Sequence, residues 1–334
     1  MQLPPAATTT VGSFSRPSWL GSLDTLNWSF RVAGEALREA QDDATIVVLH
    51  EQEQTGLDLV TDGEQRRPSF INYFLASLDG IDLDAQRKKV IRRRTERDVP
   101  VVTGQVRRRA PSAVDDVRFA KAHTTRPLKM TVPGPMTIID STYDTAYGDE
   151  AALAMDLAAA LNAEIRELQA AGCDAVQIDE PAMTRYHEKV AAYGAEALNR
   201  CLEGVTIPSL VHLCYGYPNV GGQQHEYTYP ELFRMLAETR IGGYSVEFAR
   251  SDYDPAILQG CGDRLVMYGC VDPGDAPPEP LDVVVGRVRA ALRYVAPERL
   301  LLAPDCGLMT ISRELARAKT ALLVETARVV RESI

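Results

Sequence analysis

The chain has 334 residues, of which 45% are hydrophobic and 25% are charged, as in globular proteins with a large core. Its formal net charge of −10 argues against binding to nucleic acid or to another polyanion. No apolar run reaches the roughly 18 residues that a membrane span needs, and the N-terminal segment lacks the basic and apolar regions of a secretion signal, so we expect a cytoplasmic protein.

Short apolar runs alternate along the chain with longer segments of helical periodicity. Runs of this kind are typical of parallel strands that are buried on both faces. The candidate strands lie at 8–14, 57–64, 128–135, 175–181, 209–216, 242–249, 264–272 and 301–308. This alternation predicts a (β/α)8 barrel, an α/β fold of the TIM type. An open doubly wound sheet is the alternative, although no G-x-G-x-x-G follows the first strand.

Three long segments show clear helical periodicity. The segment 150–172 is rich in Ala and Leu, opens with acidic residues and ends at Gly172, which is a common helix stop. The segments 281–295 and 312–333 carry apolar residues three and four positions apart. All three are therefore predicted to be helices that follow barrel strands.

The stretch from about 65 to 126 is too long for one crossover helix. Its pieces 87–98 and 105–109 hold ten of the 36 Lys and Arg residues of the chain. We expect a single barrel over 1–334, with a basic hairpin inserted here between strands 2 and 3 over the barrel mouth. The hairpin is either a solvated basic ribbon or an electrostatic lid for an anionic substrate.

Several candidate metal ligands stand at the ends of predicted strands. His212 and Cys214 are two residues apart, so their side chains point to the same side of the strand. Glu247 ends the sixth strand and Cys306 ends the eighth, so all four residues are predicted to meet at one face of the barrel. One imidazole, two thiolates and one carboxylate suit Zn²⁺. Cys270 is a competing ligand at the end of the seventh strand.

Other strand ends carry carboxylates and a small-residue turn. Glu64, Asp179 and Glu180 are either helix caps and solvated loop charges or groups that bind a substrate ammonium and act as acid or base. Gly12 and Ser13 lie at a strand-to-loop turn, where backbone N–H groups can bind a carboxylate.

The sequence resembles a known enzyme family in several motifs that occur in the same order. The resemblance runs from about residue 8 to the C-terminus, and it is to the catalytic domain of cobalamin-independent methionine synthase. The motifs are TTTVGSF, DGEQRR, VPGPMTI, QIDEPAM, VHLCY, VEFARSD and PDCGL. This resemblance implies a (β/α)8 barrel with a catalytic zinc ion, held by His212, Cys214, Glu247 and Cys306.

The resemblance also implies the acceptor and how it is held. The backbone of Val11, Gly12 and Ser13, together with Glu64 and Asp179, is expected to bind the amino-acid part of homocysteine. Zinc would keep the substrate thiol deprotonated so that it attacks a methyl carbon, and methionine would be the product. Glu247, the hardest ligand, is expected to loosen as the substrate sulfur arrives.

Four departures from the family pattern bear on the substrates. The full-length synthases carry an additional N-terminal barrel that these 334 residues do not include. Ser141 replaces the family's folate-stacking tryptophan, and Gly274 replaces its proton-donating histidine. Methyltetrahydrofolate is therefore a poor fit as the donor, which leaves a methylated corrinoid, carried by a corrinoid protein, or a sulfonium compound. Arg185 replaces a carboxylate near the substrate amine and favours an anion.

Three other functions remain as alternatives. Arg185 is compatible with an enzyme that couples epoxides to the thiol coenzyme M. A metal-free enzyme similar to uroporphyrinogen decarboxylase would use the same barrel without zinc. A structural zinc site or a binding module is disfavoured because structural zinc ligands usually lie close together in the sequence. A homo-oligomer is left open.

Overall fold

A curled parallel sheet lies at the centre of the computed structural model, which describes residues 2–24, 27–217 and 228–334. In chain order, the strands are β1 (Ala7–Thr8), β2 (Gly21–Asp24), β3 (Asn27–Phe30), β4 (Leu78–Ile91), β5 (Thr95–Arg108), β6 (Lys129–Pro133), β7 (Tyr143–Asp144), β8 (Ala175–Asp179), β9 (Ser209–His212), β10 (Gly243–Glu247), β11 (Leu265–Val271) and β12 (Leu300–Pro304). Within these ranges the central sheet has the order β1-β12-β11-β10-β9-β8-β6, with parallel neighbours throughout. The predicted barrel-type α/β fold is confirmed.

Helices surround the sheet and connect its strands. They are α1 (Gly34–Thr55), α2 (Asn72–Leu75), α3 (Val114–Ala122), α4 (Pro135–Asp140), α5 (Glu150–Ala170), α6 (His187–Lys189), α7 (Ala195–Cys201), α8 (Tyr229–Met235), α9 (Leu281–Ala291) and α10 (Arg313–Arg331). A π-helical turn (Val190–Gly194) joins α6 to α7, and 3₁₀ turns lie at Pro181–Thr184, Pro255–Cys261 and Pro297–Arg299. Asp149 and Ser312 cap α5 and α10 through their side chains, which fixes where these helices begin.

The predicted second strand, 57–64, is wrong as a regular strand. Only two isolated parallel bridges close the gap between β1 and β6, joining Thr9 to Leu59 and Val60 to Leu128. Likewise β1 overlaps the predicted 8–14 only at Thr8, and Thr9 adds one isolated bridge.

Side chains take over part of the missing strand ladder at this closure. Gln52, on α1, accepts a hydrogen bond from the Thr61 amide at 3.0 Å and donates one to the Thr61 carbonyl at 2.8 Å. Asp58 accepts bonds from the amide and the hydroxyl of Thr8 at 2.8 and 2.9 Å. Neither interaction can be predicted from apolar periodicity. The periodicity shows which residues are buried, but not which groups form hydrogen bonds with the backbone.

An antiparallel hairpin of β4 and β5 runs from Leu78 to Arg108 and takes up half of the stretch 65–126. Its tip folds onto the end of α4, where the Lys89 ammonium donates to the carbonyls of Ile139 and Thr142 at 2.7 and 2.8 Å. The amide of Arg92 donates to the Asp140 carboxylate at 3.0 Å, with φ +52° at Arg92 and +54° at Arg93. The tip is therefore attached to the barrel at the carboxyl ends of its strands.

The apolar core determines which strand residues face the barrel interior. A small cluster that includes Leu210, Met267 and Leu301 lies inside the ring of strands, whereas Val211 belongs to the larger cluster between the strands and the helices. Because side chains alternate along a strand, His212 shares the inner face with Leu210. No helix in the described part of the chain is both long and apolar enough to cross a membrane.

Candidate functional site

Four buried side chains that can bind a metal ion converge at the carboxyl ends of the strands. One ligand atom from each of His212, Cys214, Glu247 and Cys306 lies within 4.8 Å of the others. The two sulfur atoms are 3.4 Å apart. His212 and Glu247 end β9 and β10, and Cys306 follows β12 by two residues. Parallel neighbouring strands therefore bring together residues that are far apart in the sequence.

The hydrogen bonds of His212 prepare its free nitrogen to bind a metal. Nδ1 lies 2.8 Å from the hydroxyl of Ser245, on the neighbouring strand β10. Nε2 is buried and has no hydrogen-bond partner. Burial, with smaller effects from Lys129 and Arg92, lowers the pKa of His212 to about 3, so the ring is neutral at physiological pH. A buried, unpartnered imidazole nitrogen is costly unless something binds it, and a cation fits this requirement.

The acidic members of the group repel one another when no cation is present. The pKa of Cys214 lies well above its usual value, first because the thiol is hydrogen-bonded to Cys306 and then because it is buried. Burial, followed by the charges of Cys214 and Asp305, raises the pKa of Glu247. A divalent cation would reverse both shifts, so the residues fit a metal ion.

Asp305 holds a loop beside the four-residue group. Its carboxylate accepts bonds from the amides of Phe248, Ala249 and Arg250, each at 2.9 Å. These residues directly follow Glu247, and Asp305 directly precedes Cys306. Asp305 therefore ties together the two segments that present these two side chains, and burial raises its pKa to about 7.

Glu180 and Asp62 also bind backbone near the site. Glu180 accepts bonds from the amides of Met136 and Thr137 at 3.0 and 2.9 Å, which fixes the start of α4. Asp62 accepts from the Glu64 amide at 3.0 Å. These carboxylates satisfy loop and helix amides, as expected for caps.

Glu64 and Asp179 form the acidic side of a cavity that borders the four-residue group, called the site cavity below. Thr131 donates to Glu64 at 2.9 Å, and Gln177 donates to Asp179 at 2.7 Å. Burial and then the Glu64 charge raise the pKa of Asp179 to about 7. Lys129 lies beneath, donating to Gln177 at 2.5 Å, and its pKa is lowered to about 8 by burial. The Arg67 guanidinium also forms an ion pair with Glu64 at 3.7 Å, so Lys129 is not the only cation beside these carboxylates.

The backbone after β1 forms part of the wall of the site cavity. Val11 and Ser13 line it, and the Val11 carbonyl accepts a bond from Lys129 at 2.6 Å. A Cβ on Gly12 would lie 2.9 Å from Glu64 Oε1, so this turn is closely packed against the acidic side. The structure thus brings the turn and the two carboxylates into one cavity.

Two polar residues of the site cavity were missed by the sequence reasoning. The hydroxyl of Tyr217 lies 3.0 Å from the hydroxyl of Ser13, and Arg92 enters from the hairpin tip. Arg92 is one of many basic residues in its segment, and the sequence does not indicate which of them reaches the site. Tyr217 lies beyond the end of the predicted strand 209–216. Phe70, Pro181 and Met309 add an apolar side.

Arg185 and Cys270 lie elsewhere. Arg185 is buried with one guanidinium nitrogen 3.4 Å from the Tyr215 carbonyl and its guanidinium over the Tyr215 ring, and it is not among the residues that line the site cavity. Cys270 lies within the apolar core, and it is not part of the metal-binding group found among the described residues. Gly274 follows Asp272, whose carboxylate accepts its amide at 2.8 Å.

The parallel barrel, with its polar and metal-binding groups at the carboxyl ends of the strands, defines an enzyme of the TIM-barrel class. Comparison with known proteins gives the particular family. The model of the cobalamin-independent synthase catalytic domain matches residues 6–329, and the chain belongs to that family. It is therefore a methyltransferase.

Individual relatives agree with this assignment. The methionine synthases of Sulfurisphaera tokodaii and Saccharolobus solfataricus are each 32% identical over the whole chain, which covers 95% and 97% of their lengths. The solved structure of a B12-independent methionine synthase from Shewanella sp. W3-18-1, in complex with selenomethionine, is 33% identical, with a TM-score of 0.92 and 98% of each chain covered. A structure from Listeria monocytogenes, 21% identical with a TM-score of 0.77, shares the fold.

Proposed function

We propose that this chain transfers a methyl group to the thiol of homocysteine, giving methionine, at a zinc ion held by His212, Cys214, Glu247 and Cys306. The observation that carries the proposal is the four-residue group itself, with ligand atoms within 4.8 Å and a buried imidazole nitrogen that lacks a partner. The printed names of the relatives support the reaction.

The ligand set fits catalytic zinc better than structural zinc. Structural sites usually have four Cys or His ligands that lie close together in the sequence. Here three separate strand ends contribute, and one ligand is a carboxylate. Glu247 is the hardest of the four ligands and therefore the one that a soft substrate sulfur would displace.

The residues of the site cavity divide the work of binding the acceptor. Glu64 and Asp179 supply negative charge for the ammonium group, and the turn from Val11 to Ser13 supplies polar groups for the carboxylate. Bound zinc supplies a Lewis acid that keeps the acceptor thiol deprotonated at neutral pH. Because the head group is held at two points, the thiol is directed towards the metal-binding group.

The identity of the acceptor receives support from a relative. The Shewanella structure contains selenomethionine, which has the carbon chain of the proposed product. Both its ammonium and its carboxylate would find complementary groups in the site cavity described above. An amino-acid thiol is therefore the acceptor that we propose.

The donor is a separate proposal. Ser141 ends α4 beside the hairpin tip, and Gly274 has no side chain to donate a proton. A donor with a good leaving group requires no protonation, so we propose a methylated corrinoid on a corrinoid protein, or a sulfonium compound, in preference to methyltetrahydrofolate. The coenzyme M alternative rested on Arg185, and this side chain packs on Tyr215 outside the residues lining the cavity.

The hairpin supplies a cation to the same site. We propose that it acts as an electrostatic lid through Arg92, because this side chain lines the site cavity while the backbone at the tip is bound to α4. A single catalytic unit over 1–334 and a cytoplasmic location remain predictions, and so does a homo-oligomer.

Product analysis tests the function most directly. Purified zinc-loaded protein is incubated with homocysteine or coenzyme M and with folate, corrinoid, sulfonium or epoxide donors, and the product mass identifies the reacting pair. We expect methionine from at least one methyl donor. Cys306→Ala should abolish it, whereas Cys261→Ala, a buried cysteine outside the group, serves as the control. Zinc-loaded protein that is inert with every pair would contradict the proposal.

A further inference from the structure

Two hydroxyl groups meet at the edge of the site cavity next to the metal-binding group. The hydroxyl oxygens of Ser13 and Tyr217 are 3.0 Å apart, although the residues are 204 positions apart in the sequence. Both residues line the cavity together with Glu64, Asp179 and Cys306. The Ser13 carbonyl accepts a bond from the Leu308 amide at 2.8 Å, so the turn that carries Ser13 is attached to the segment after Cys306.

Gly307 leaves the space that this hydroxyl pair occupies. A Cβ at this position would lie 2.0 Å from Ser13 Oγ and 2.7 Å from Tyr217 Oη. Its φ is outside the left-handed region, so the backbone conformation alone does not require glycine. The absence of a side chain at Gly307 is needed because the two hydroxyls approach each other there.

The hydrogen-bond capacity of the pair leaves one donor for a ligand. Each hydroxyl carries one proton, and one of the two protons is used in the bond between Ser13 and Tyr217. The remaining O–H belongs to a residue that lines the site cavity. A hydroxyl that already accepts a hydrogen bond is a stronger donor to a third group, because the bonds polarise one another.

The charge distribution of the cavity indicates which group this donor binds. Glu64 and Asp179 form the acidic side, which attracts an ammonium and repels a carboxylate. The hydroxyl pair is uncharged and lies on the turn that faces this side. An amino acid bound with its ammonium at the carboxylates would therefore turn its own carboxylate away from them, towards the uncharged hydroxyl pair and the Arg92 guanidinium that also lines the cavity.

We propose that Tyr217 is a positioning residue, which orients the Ser13 hydroxyl towards the α-carboxylate of the acceptor. This proposal rests on the proposed amino-acid thiol acceptor and names the residue that distinguishes it from the corresponding amine. Gly307 contributes by having no side chain, which leaves room for the two hydroxyls.

Equilibrium binding tests the proposal without knowledge of the methyl donor. The probes are L-methionine and 3-(methylthio)propylamine, which differ by the carboxylate. They are titrated by calorimetry into the wild-type protein, Tyr217→Phe, Ser13→Ala and the double variant, each with zinc content and melting temperature measured. Tyr143→Phe, which removes the hydroxyl of an exposed tyrosine, is the control.

We expect Tyr217→Phe to weaken methionine binding about fivefold to tenfold, as for loss of one hydrogen bond, and to leave the amine unaffected. The double variant should bind methionine no more weakly than Ser13→Ala alone, because each single change already removes the hydrogen bond between the two hydroxyls. Zinc content should not change.

The outcomes separate this inference from the proposed function. If the wild-type protein fails to bind methionine, the amino-acid acceptor is wrong and the inference fails with it. If the wild-type protein binds methionine but Tyr217→Phe does so equally well, or loses both probes to the same extent, only the positioning role is overturned.

Discussion

At the scale of single residues, the site combines groups whose ordinary chemistry has been shifted by burial. Asp179 illustrates this, because its pKa is raised to about 7 by burial and by Glu64. Such a carboxyl is poised to gain or lose its charge near neutral pH, and an arriving ammonium favours the charged form. Acceptor binding therefore depends on a carboxylate charge that burial disfavours.

Asp179 therefore makes acceptor binding pH-dependent. The carboxylate charge is lost as the pH falls through about 7, so methionine should bind more weakly at low pH. Between pH 8 and pH 6 we expect a fall in affinity of about tenfold, measured by calorimetry, from the change in ionised fraction. Asp179→Asn should bind weakly at both pH values, and a variant that keeps the full pH dependence would assign it to another group.

Ser245 orients the imidazole of His212, and its removal should weaken zinc binding. Ser245→Ala removes the hydroxyl at 2.8 Å from Nδ1, so the ring loses the bond that selects its tautomer. Partners of this kind commonly contribute 10-fold to 100-fold in metal affinity, measured by competition with a chromophoric chelator. Ser333→Ala, near the C-terminus, is the control, and equal zinc affinity in the two variants would refute the role of Ser245.

At the scale of elements, side chains complete two structures that the backbone leaves unfinished. Gln52 satisfies the backbone of Thr61 where the strand between β1 and β6 is missing. The hairpin tip is bound to α4 through Lys89 and Asp140. Both contacts join segments that do not follow each other in the sequence.

Gln52→Met should destabilise the barrel at its closure. The substitution keeps the size of the side chain but leaves the buried amide and carbonyl of Thr61 without these partners. We expect a loss of about 2–4 kcal/mol in the free energy of unfolding, measured with urea. Gln54→Met, on the exposed side of the same helix, should change stability by less than about 0.5 kcal/mol. Equal stability of the two variants would contradict the role of Gln52.

A substitution of Arg92 tests whether the hairpin acts as an electrostatic lid. Arg92→Gln should lower kcat/KM for homocysteine about tenfold, because it removes the cation that the hairpin brings to the site cavity. Its neighbour Arg94 is exposed and does not line the cavity, so Arg94→Gln should remain within about twofold. If both variants have wild-type kinetics, the hairpin is a solvated ribbon and not a lid.

Sequence reasoning reached the elements with strong periodicity and the residues at their ends. Helix α5 and strand β9 follow directly from apolar spacing. His212 and Cys214 follow from the predicted strand 209–216, although β9 ends at His212 and Cys214 lies two residues beyond it. Segment 57–64 could not be resolved in this way, because apolar spacing does not distinguish a strand ladder from side chains that bind the backbone. Tyr217 was missed because its role depends on Ser13, which is brought near by folding.

At the scale of the whole molecule, the fold brings together strand ends that are distant in sequence. Cys214 and Cys306 are 92 positions apart, yet their sulfur atoms are 3.4 Å from each other. Bound metal would link the segments after β9 and β12 with the end of β10. Since the metal binds the folded and not the unfolded arrangement, it should stabilise the whole chain.

The central claim is that these four side chains bind one zinc ion whose coordination changes when the acceptor arrives. Zinc X-ray absorption on the purified protein, with metal content determined on the same sample, tests it most directly. The account predicts one zinc per chain with two sulfur and two nitrogen or oxygen ligands, and a third sulfur after homocysteine is added. Zinc below stoichiometric amounts, or a shell without protein sulfur, would contradict it.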